Sequence, residues 1–557
     1  MAQTNGQQAS TTRRKVLAAM GGSAAVGLAG CPDGNGNGQS GDNEFIASAA
    51  ANPGTFDPTV ITDATSNSVV GTLAYEGLLG LTFDLSEFRP ELATDWEQVN
   101  ETTLRFELRE GVEFHNGDEF VADDVEFSIN RMRDTTNAAS VTWIEEVNVL
   151  GDYEVEITSA EPYAPALNDL SAVPILPSGA DGISEAPGDD SHAFDEETLG
   201  TGPFTLDRFE PEDRVVLSPF ENYWYDGDDY PSTAPWDSVI FRVIPEQVSQ
   251  EEAMHAGELD LIDNPAPFDL DQWQDANAEV VSGDAVGFDF VSFPVTQSPY
   301  TNPKFRRGIT RLIPRGEVID AIFGGNATAL GGPISPGLSA FWDEDHEQQL
   351  LDEYVGENRE EALQLLEEAF QEEDIERPFD VSLITNVNRT RERWMEVIQQ
   401  QLDDTEYFNA ELDVRAFSDL VPFLTSPDGA AQSTDIVGIG WTGGSDPHGH
   451  VNQLVHSDNH VPDGFNWNLY DNQQADQLID QGQSTVEVDA RREIYHQLQE
   501  LLAQEVPSAF MWTNDQIDVL NPDAFENIDD WQPHPNSSYR YKALYAPNLG
   551  QVAGPQQ

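Results

Sequence analysis

A short apolar run, Ile436 to Ile439, empties into a glycine-rich loop that carries a tryptophan and a carboxylate: Trp441, Thr442, Gly443, Gly444, Ser445 and Asp446, closed by Pro447. Gly443 and Gly444 free the backbone from β-carbon clashes, so the loop can bend tightly and a ligand can approach main-chain groups. Trp441 would supply a flat apolar wall and Asp446 a fixed negative charge, a combination suited to a ligand with a positive end. A second reading has Asp446 capping its own turn ahead of Pro447. His448, His450, His456 and His460 follow within one short segment. Imidazole suits zinc, copper or nickel, so metal capture is the rival chemistry. Pro447 and Gly449 favour a loop for the first two, and no His-Glu-x-x-His spacing occurs. Solvated loop histidines are the plainer expectation, and no metal or cofactor is expected.

Catalysis finds no support in the motifs. There is no Gly-x-Ser-x-Gly elbow, no phosphate-binding Walker loop and no Gly-x-Gly-x-x-Gly after a strand. With Asp+Glu at 101, chance pairs of carboxylates are expected, so they cannot argue for a glycosidase. The chain is read as a non-enzyme.

The elements that must position the loop are strands and helices in alternation. Ile436, Val437 and Ile439 suit a buried strand. Leu363, Leu366 and Phe370, then Trp394, Val397 and Ile398, then Ile494, Leu498, Leu501 and Leu502 carry helix-period apolar faces. Leu104, Phe106 and Leu108 alternate with Arg105, Glu107 and Arg109 as a half-buried strand, and Val155 and Ile157 give another. Residues 67–199 thus look rich in strand and turn, and the later part reads as an α/β lobe. Val69, Val70, Leu73 and Leu78 mark a helix leading into Tyr75, Glu76 and Gly77. His115 is read as a structural turn residue, and Tyr223 and Trp224 as packing residues.

At 557 residues the chain should form two or three compact units. Lys+Arg number 26, giving a formal net charge of −75, yet charged residues are 23% of the chain. That share is close to the roughly 25% of ordinary proteins, so the sign is unusual and the amount is not. Hydrophobic residues at 39% argue against disorder. Adaptation to high salt fits better, because at molar ionic strength the Debye length is about 3 Å and self-repulsion is muted. Such a surface also repels nucleic acid.

The start of the chain reads as a targeting segment. Arg13, Arg14 and Lys15 form a twin-arginine region, and Val16 to Gly30 is too short to span a bilayer. Leu28, Ala29, Gly30 and Cys31 resemble a lipobox, in which cleavage before the cysteine leaves a thiol for lipidation. Cys31 is the single cysteine, which excludes an intrachain disulfide. Residues 32–44 then read as a flexible linker.

Several motifs in order carry a family resemblance. Pro90 to Trp96, Leu108 to Gly117, Ala122 to Val125, Gly200 to Phe204 before Asn222, Tyr223 and Trp224, Phe305 to Arg315, Gly440 to Pro447, and Arg491 to Pro507 are similar to the peptide-type (family 5) extracytoplasmic solute-binding proteins of ABC importers, here in a haloarchaeal-like form. The resemblance implies a bilobal α/β fold of the periplasmic-binding-protein type (type II) with three subdomains and a ligand cleft between lobes. Domain I would comprise 45–66, 200–295 and 511–545, a β-rich domain II 67–199, and domain III 296–510, with a tail at 546–557 and hinges near 295 and 510. It implies a monomer that takes a di- or oligopeptide, or alternatively a nickel-type metal chelate, and delivers it to a membrane permease. In peptide-carrying relatives an aspartate after the Gly-Trp strand receives the ligand's α-ammonium, and Asp446 falls on that position. Dipeptide-type relatives place an arginine for the carboxylate end where this chain has Thr385. The nearest arginines are Arg389, Arg391 and Arg393, of which Arg389 is the candidate.

Two outcomes are expected from the sequence. A single lipid chain holds only marginally, so Cys31 should carry enough acyl chain for stable retention, at about 0.8 kcal/mol per buried methylene. Cys31→Ser should then move the protein from the membrane fraction to the medium, and unchanged retention would remove the lipoprotein reading. The thermal midpoint should rise with salt, and equal midpoints in dilute buffer and in molar salt would sink the halophilic one.

Overall fold

The computed structural model describes residues 43–555, apart from 185–193, 195–196, 228–229, 274–275, 526–527, 529–530 and 550–551. The leader, Cys31 and most of the linker lie outside the described residues. Among the described residues no helix is long and apolar enough to cross a membrane.

The first lobe is organised on a seven-stranded sheet whose centre is the opening strand Glu44–Ala49. That strand runs parallel to Ser238–Val243 on one side and to Leu261–Asp263 on the other. Antiparallel strands complete the sheet: Arg214–Pro219 and Phe204–Glu210 beyond the first neighbour, Gln516–Leu520 and Glu279–Gly283 beyond the second. Phe45, Trp236, Phe241 and Tyr541 fill the core over one face with edge-to-face ring contacts.

Between Glu44–Ala49 and Phe204–Glu210 the chain builds a separate antiparallel sheet, in the order Ala93–Asn100, Thr103–Leu108, Glu154–Ser159, Ile144–Gly151. The alternation seen in the sequence decides its faces. Leu104 pairs with Ile157 and Phe106 with Val155, all buried. Arg105 points the other way and reaches Glu156 at 2.6 Å on the wet face. Helix Ala122–Met132 covers the apolar face, and Asp124 holds its start by accepting the Val121 N–H at 2.8 Å.

Three motifs that are far apart in the chain meet at Glu76. The Tyr223 hydroxyl, the Trp224 indole N–H and the Thr201 hydroxyl all donate to its carboxylate, at 2.7, 2.7 and 2.9 Å. Gly200 passes so close to the helix end before Glu76 that a β-carbon there would sit 2.0 Å from the Ala74 carbonyl oxygen. Tyr223 and Trp224 therefore pack as expected and also donate hydrogen bonds. His115 is half-buried, bonded to Thr198 Oγ1 and the Gly202 carbonyl at 2.9 Å each.

The second lobe carries a six-stranded sheet, ordered Ala327–Ala329, Ser508–Asn514, Phe288–Ser292, Ile436–Trp441, Phe379–Asn386, Phe408–Arg415. Helices Arg359–Glu372, Arg389–Asp403 and Val488–Glu505 cover the three apolar patterns read from the sequence. The motif from Phe305 to Arg315 is internal support. Arg306 Nε donates to the Val506 carbonyl at 2.8 Å and Arg315 Nη1 to that of Val355 at 2.6 Å, both from buried side chains. Because Phe288–Ser292 and Ser508–Asn514 pair within this sheet, the chain passes between the two large sheets at residues 284–287 and at 515. The first passage lies at least eight residues before the 295 expected, because Phe288–Ser292 belongs to the second lobe's sheet, and the second lies five residues after 510, because Ser508–Asn514 continues that sheet.

Candidate functional site

The strand Ile436–Trp441 delivers the loop to the space between the lobes. Gly440 lies over Arg391, whose Nη2 would be 2.6 Å from a β-carbon at that position. Gly444 has φ +82, a left-handed conformation that only glycine adopts freely, and it turns the loop back. Gly443 is packed against Gly449 and His450. The Trp441 indole N–H donates to the Gly449 carbonyl at 3.0 Å, which fixes the ring beside Phe465.

Pro447–Val455 is a helix, with Asp446 as its cap. Asp446 Oδ1 accepts the His448 N–H at 2.8 Å. Arg491, from helix Val488–Glu505, then closes on the carboxylate with both arms, Nη1 to Oδ2 at 2.5 Å and Nη2 to Oδ1 at 2.7 Å. Burial by itself would raise the Asp446 pKa, but the guanidinium and these bonds outweigh it and hold the group below its ordinary value. The capping that the sequence offered as the second reading of Asp446 is present. The carboxylate lines the cleft, but a cation of the protein already answers it.

Two expectations change. Arg389 is an exposed residue, 4.0 Å from Asp269 and over the Phe268 ring. Arg391 faces the cleft instead, bonded to Asp289 Oδ1 at 2.7 Å and to Asn386 Oδ1 at 2.6 Å. Thr385 is buried and donates to the Gly438 carbonyl, joining neighbouring strands. His448 and His450 lie in a helix and not in a loop, whereas His456 and His460 flank the short turn Ser457–Asn459, and the four are not gathered. His448 and His450 are two apart on a helix, which puts them on different faces. His450 Nε2 is bonded to the Gly444 carbonyl, His456 Nε2 lies 3.3 Å from Asp480, and His460 Nε2 meets the Tyr470 carbonyl. Burial lowers the pKa of His448 and of His450 to about 4. Among the described residues no group of three potential metal ligands occurs.

Three cavities run along the interface and share walls. One of ≈ 450 Å³, near the chain passages, is lined by Asp289, Arg391, Trp441 and Asp515. The largest, ≈ 740 Å³, lies between Trp441, Gly443, Asp446 and His448 on one lobe and Trp143, Tyr163 and Asp169 of the four-stranded domain on the other. A third of ≈ 250 Å³ continues past Asp169, Gly443 and Gly444 to Tyr539 and Lys542. The walls touch: the Ala164 N–H donates to the Gln483 carbonyl at 2.7 Å, so the cleft is closed here.

Sequence reasoning missed Asp169. It sits in the short helix Ala166–Ser171, where no motif marks it. Burial, the largest cause, with repulsion from Asp446 adding to it, pushes its pKa up to about 7 against the opposing Tyr163 hydroxyl, Asn168 amide and Arg491 charge.

The profile described as bacterial extracellular solute-binding proteins, family 5 Middle, matches residues 87–461. Heme-binding protein A of Haemophilus influenzae is 24% identical over 503 residues, covering 84% of this chain and 86% of its own. The dipeptide-binding protein of Escherichia coli is 24% identical over 496 residues, covering 83% and 88%. The solved structure of the oligopeptide-binding protein AppA from Bacillus subtilis, in complex with a nonapeptide, superposes with a TM-score of 0.72 at 20% identity, over 92% of this chain and 99% of that one.

The Asp169 environment predicts a pH signature. An aspartate unfolded titrates near 3.9, and this one when folded near 7, so ionisation costs the fold progressively more as pH rises from about 4 to about 7 and no more above that. Asp169→Asn has no such charge. Its thermal midpoint should gain on the parent's through that window and level off beyond it, in melts of ligand-free protein at fixed molar salt. A difference that stays constant from pH 4.5 to 8 would show that Asp169 does not titrate this way.

Proposed function

The chain belongs to the family 5 extracellular solute-binding proteins, and from that premise we propose that it captures a peptide of a few residues in the cleft and presents it to the permease of an ABC importer. The observation that carries the reading is the cleft itself. Its largest cavity, ≈ 740 Å³, falls in the range of about 300–1,000 Å³ typical of small-ligand sites. One wall is the glycine-rich loop, where main chain is accessible. The other is aromatic and acidic, from Trp143, Tyr163 and Asp169. Similarity to dipeptide-binding and oligopeptide-binding proteins favours a peptide among the solutes such a cavity could take.

On this reading residues 284–287 and 515 are the hinges, since among the described residues only there does the chain pass from one large sheet to the other. Hinge closure buries the solute and brings both lobes into one surface for docking. The protein works as a lipid-anchored monomer on the outer face of the membrane, exported by the twin-arginine route and held through Cys31. It acts on no covalent bond.

Mass spectrometry of whatever is released by denaturing native protein, purified at molar salt, tests the reading. Peptides of two to a few residues are expected. A metal chelate, haem or sugar released in stoichiometric amount without peptide would overturn it.

A further inference from the structure

The two carboxylates that line the largest cavity are in opposite electrostatic states. Asp446 is answered by a two-armed guanidinium, and an incoming cation would have to compete with Arg491 for both oxygens. Asp169 faces the same space from the four-stranded domain, and among the described residues no arginine or lysine lies within ion-pair distance of it. A carboxylate offers about four acceptor sites. The Tyr163 hydroxyl takes one on Oδ2 at 2.7 Å. Asn168 Nδ2 reaches Oδ1 only at 3.3 Å, which is long for an N–H···O bond. Acceptor capacity therefore remains on the side of the cavity.

The surroundings select for positive charge in a second way. Tyr163 is stacked on Trp143, ring centroids 5.0 Å apart and planes 18° from parallel, and both line the cavity beside Asp169. The Trp143 indole N–H is already committed to the Ser140 carbonyl at 2.9 Å, so this wall offers ring surface. Ring faces attract cations through their quadrupole, most strongly where water is excluded.

We propose that Asp169 anchors the positively charged end of the solute, a primary ammonium group such as a peptide amino terminus, between the Trp143–Tyr163 wall and loop 441–446. This inference rests on the peptide reading for the identity of the solute. The anchor itself follows from a half-buried carboxylate with no ion-pair partner among the described residues, in a cavity whose other carboxylate has one. An ammonium bound there makes a charge-assisted bond in a cleft partly shielded from water, where it is stronger than in bulk solution. Tyr163 is a positioning residue, since its hydroxyl orients the carboxylate.

The test compares two probe pools at molar salt: di- to pentapeptides free of lysine and arginine, and the same pool N-acetylated. Immobilised parent should retain the free-amine pool and bind the acetylated pool at least about thirtyfold more weakly, the scale of leaving a buried charge unpaired. Asp169→Asn should lose the free-amine pool to a similar degree while melting no lower than the parent, and Tyr163→Phe should lose less. Equal retention of both pools by the parent would overturn the anchor and leave the peptide reading standing. So would undiminished retention of the free-amine pool by folded Asp169→Asn. A parent that retains neither pool would overturn the peptide reading and the anchor together. The acetylation comparison is made on the unaltered protein, so it decides the matter even where a variant fails to fold.

Discussion

A carboxylate taken out of water has to be answered, and the contact between Asp446 and Arg491 answers one at the point where the binding loop turns into a helix. Both side chains are buried, so the pair is weak support for stability in itself, because desolvation offsets most of the attraction. Its consequence is positional. Asp446 caps helix Pro447–Val455 with one oxygen and holds helix Val488–Glu505 with both. The loop from Trp441 to Ser445 is thereby fixed at each end, by the sheet and by the cap. Trp441, bonded to the Gly449 carbonyl inside that helix, inherits its orientation from the same arrangement.

What the sequence made legible was periodic and local. Alternation around Leu104 and Phe106, the three helix-period faces and the buried run at Ile436 each correspond to an element, since burial of one face imposes its period on the residues. The role of Asp446 was ambiguous for a physical reason. An aspartate followed by proline at the end of a glycine loop suits a ligand site and also a helix cap, and the residue that decides, Arg491, is distant in sequence. Gly449 argued against a helix. The structure requires it there because a β-carbon would meet the Gly443 carbonyl oxygen at 1.9 Å. Asp169 carried no signal at all, since its importance comes from what it faces across the cleft, and that depends on how two domains close.

The distribution of cations follows a similar logic. The chain has 26 lysines and arginines against 101 acids, yet six arginines are buried among the described residues: Arg131, Arg306, Arg311, Arg315, Arg491 and Arg540. Arg540 is typical, bridging Asp518 and Asp263 at 2.6 and 2.8 Å. A composition that strips cations from the surface has kept them where a carbonyl or a buried acid needs a donor. Salt screens exposed charges strongly and buried pairs much less, so the interior pairs persist at the ionic strength the acidic surface calls for. In the cavity between the lobes, Asp169 stands out beside Asp446 as the acid without such a partner among the described residues.

That asymmetry bears on closure. A solute shifts a two-state protein only by its difference in affinity for the two states. A ligand that touched loop 441–446 alone would bind the open and closed forms alike and would drive no movement. Asp169 and its aromatic wall belong to the four-stranded domain, so a cationic group resting on the loop meets them only when the lobes come together. Closure without a cation brings Asp446 towards Asp169, where desolvation and repulsion from Asp446 outweigh the Arg491 charge and disfavour the second carboxylate. Closure around an ammonium turns the same geometry into an attraction. The self-neutralised wall thus serves as the fixed platform, and the unpaired acid opposite makes the closed state depend on what lies between them.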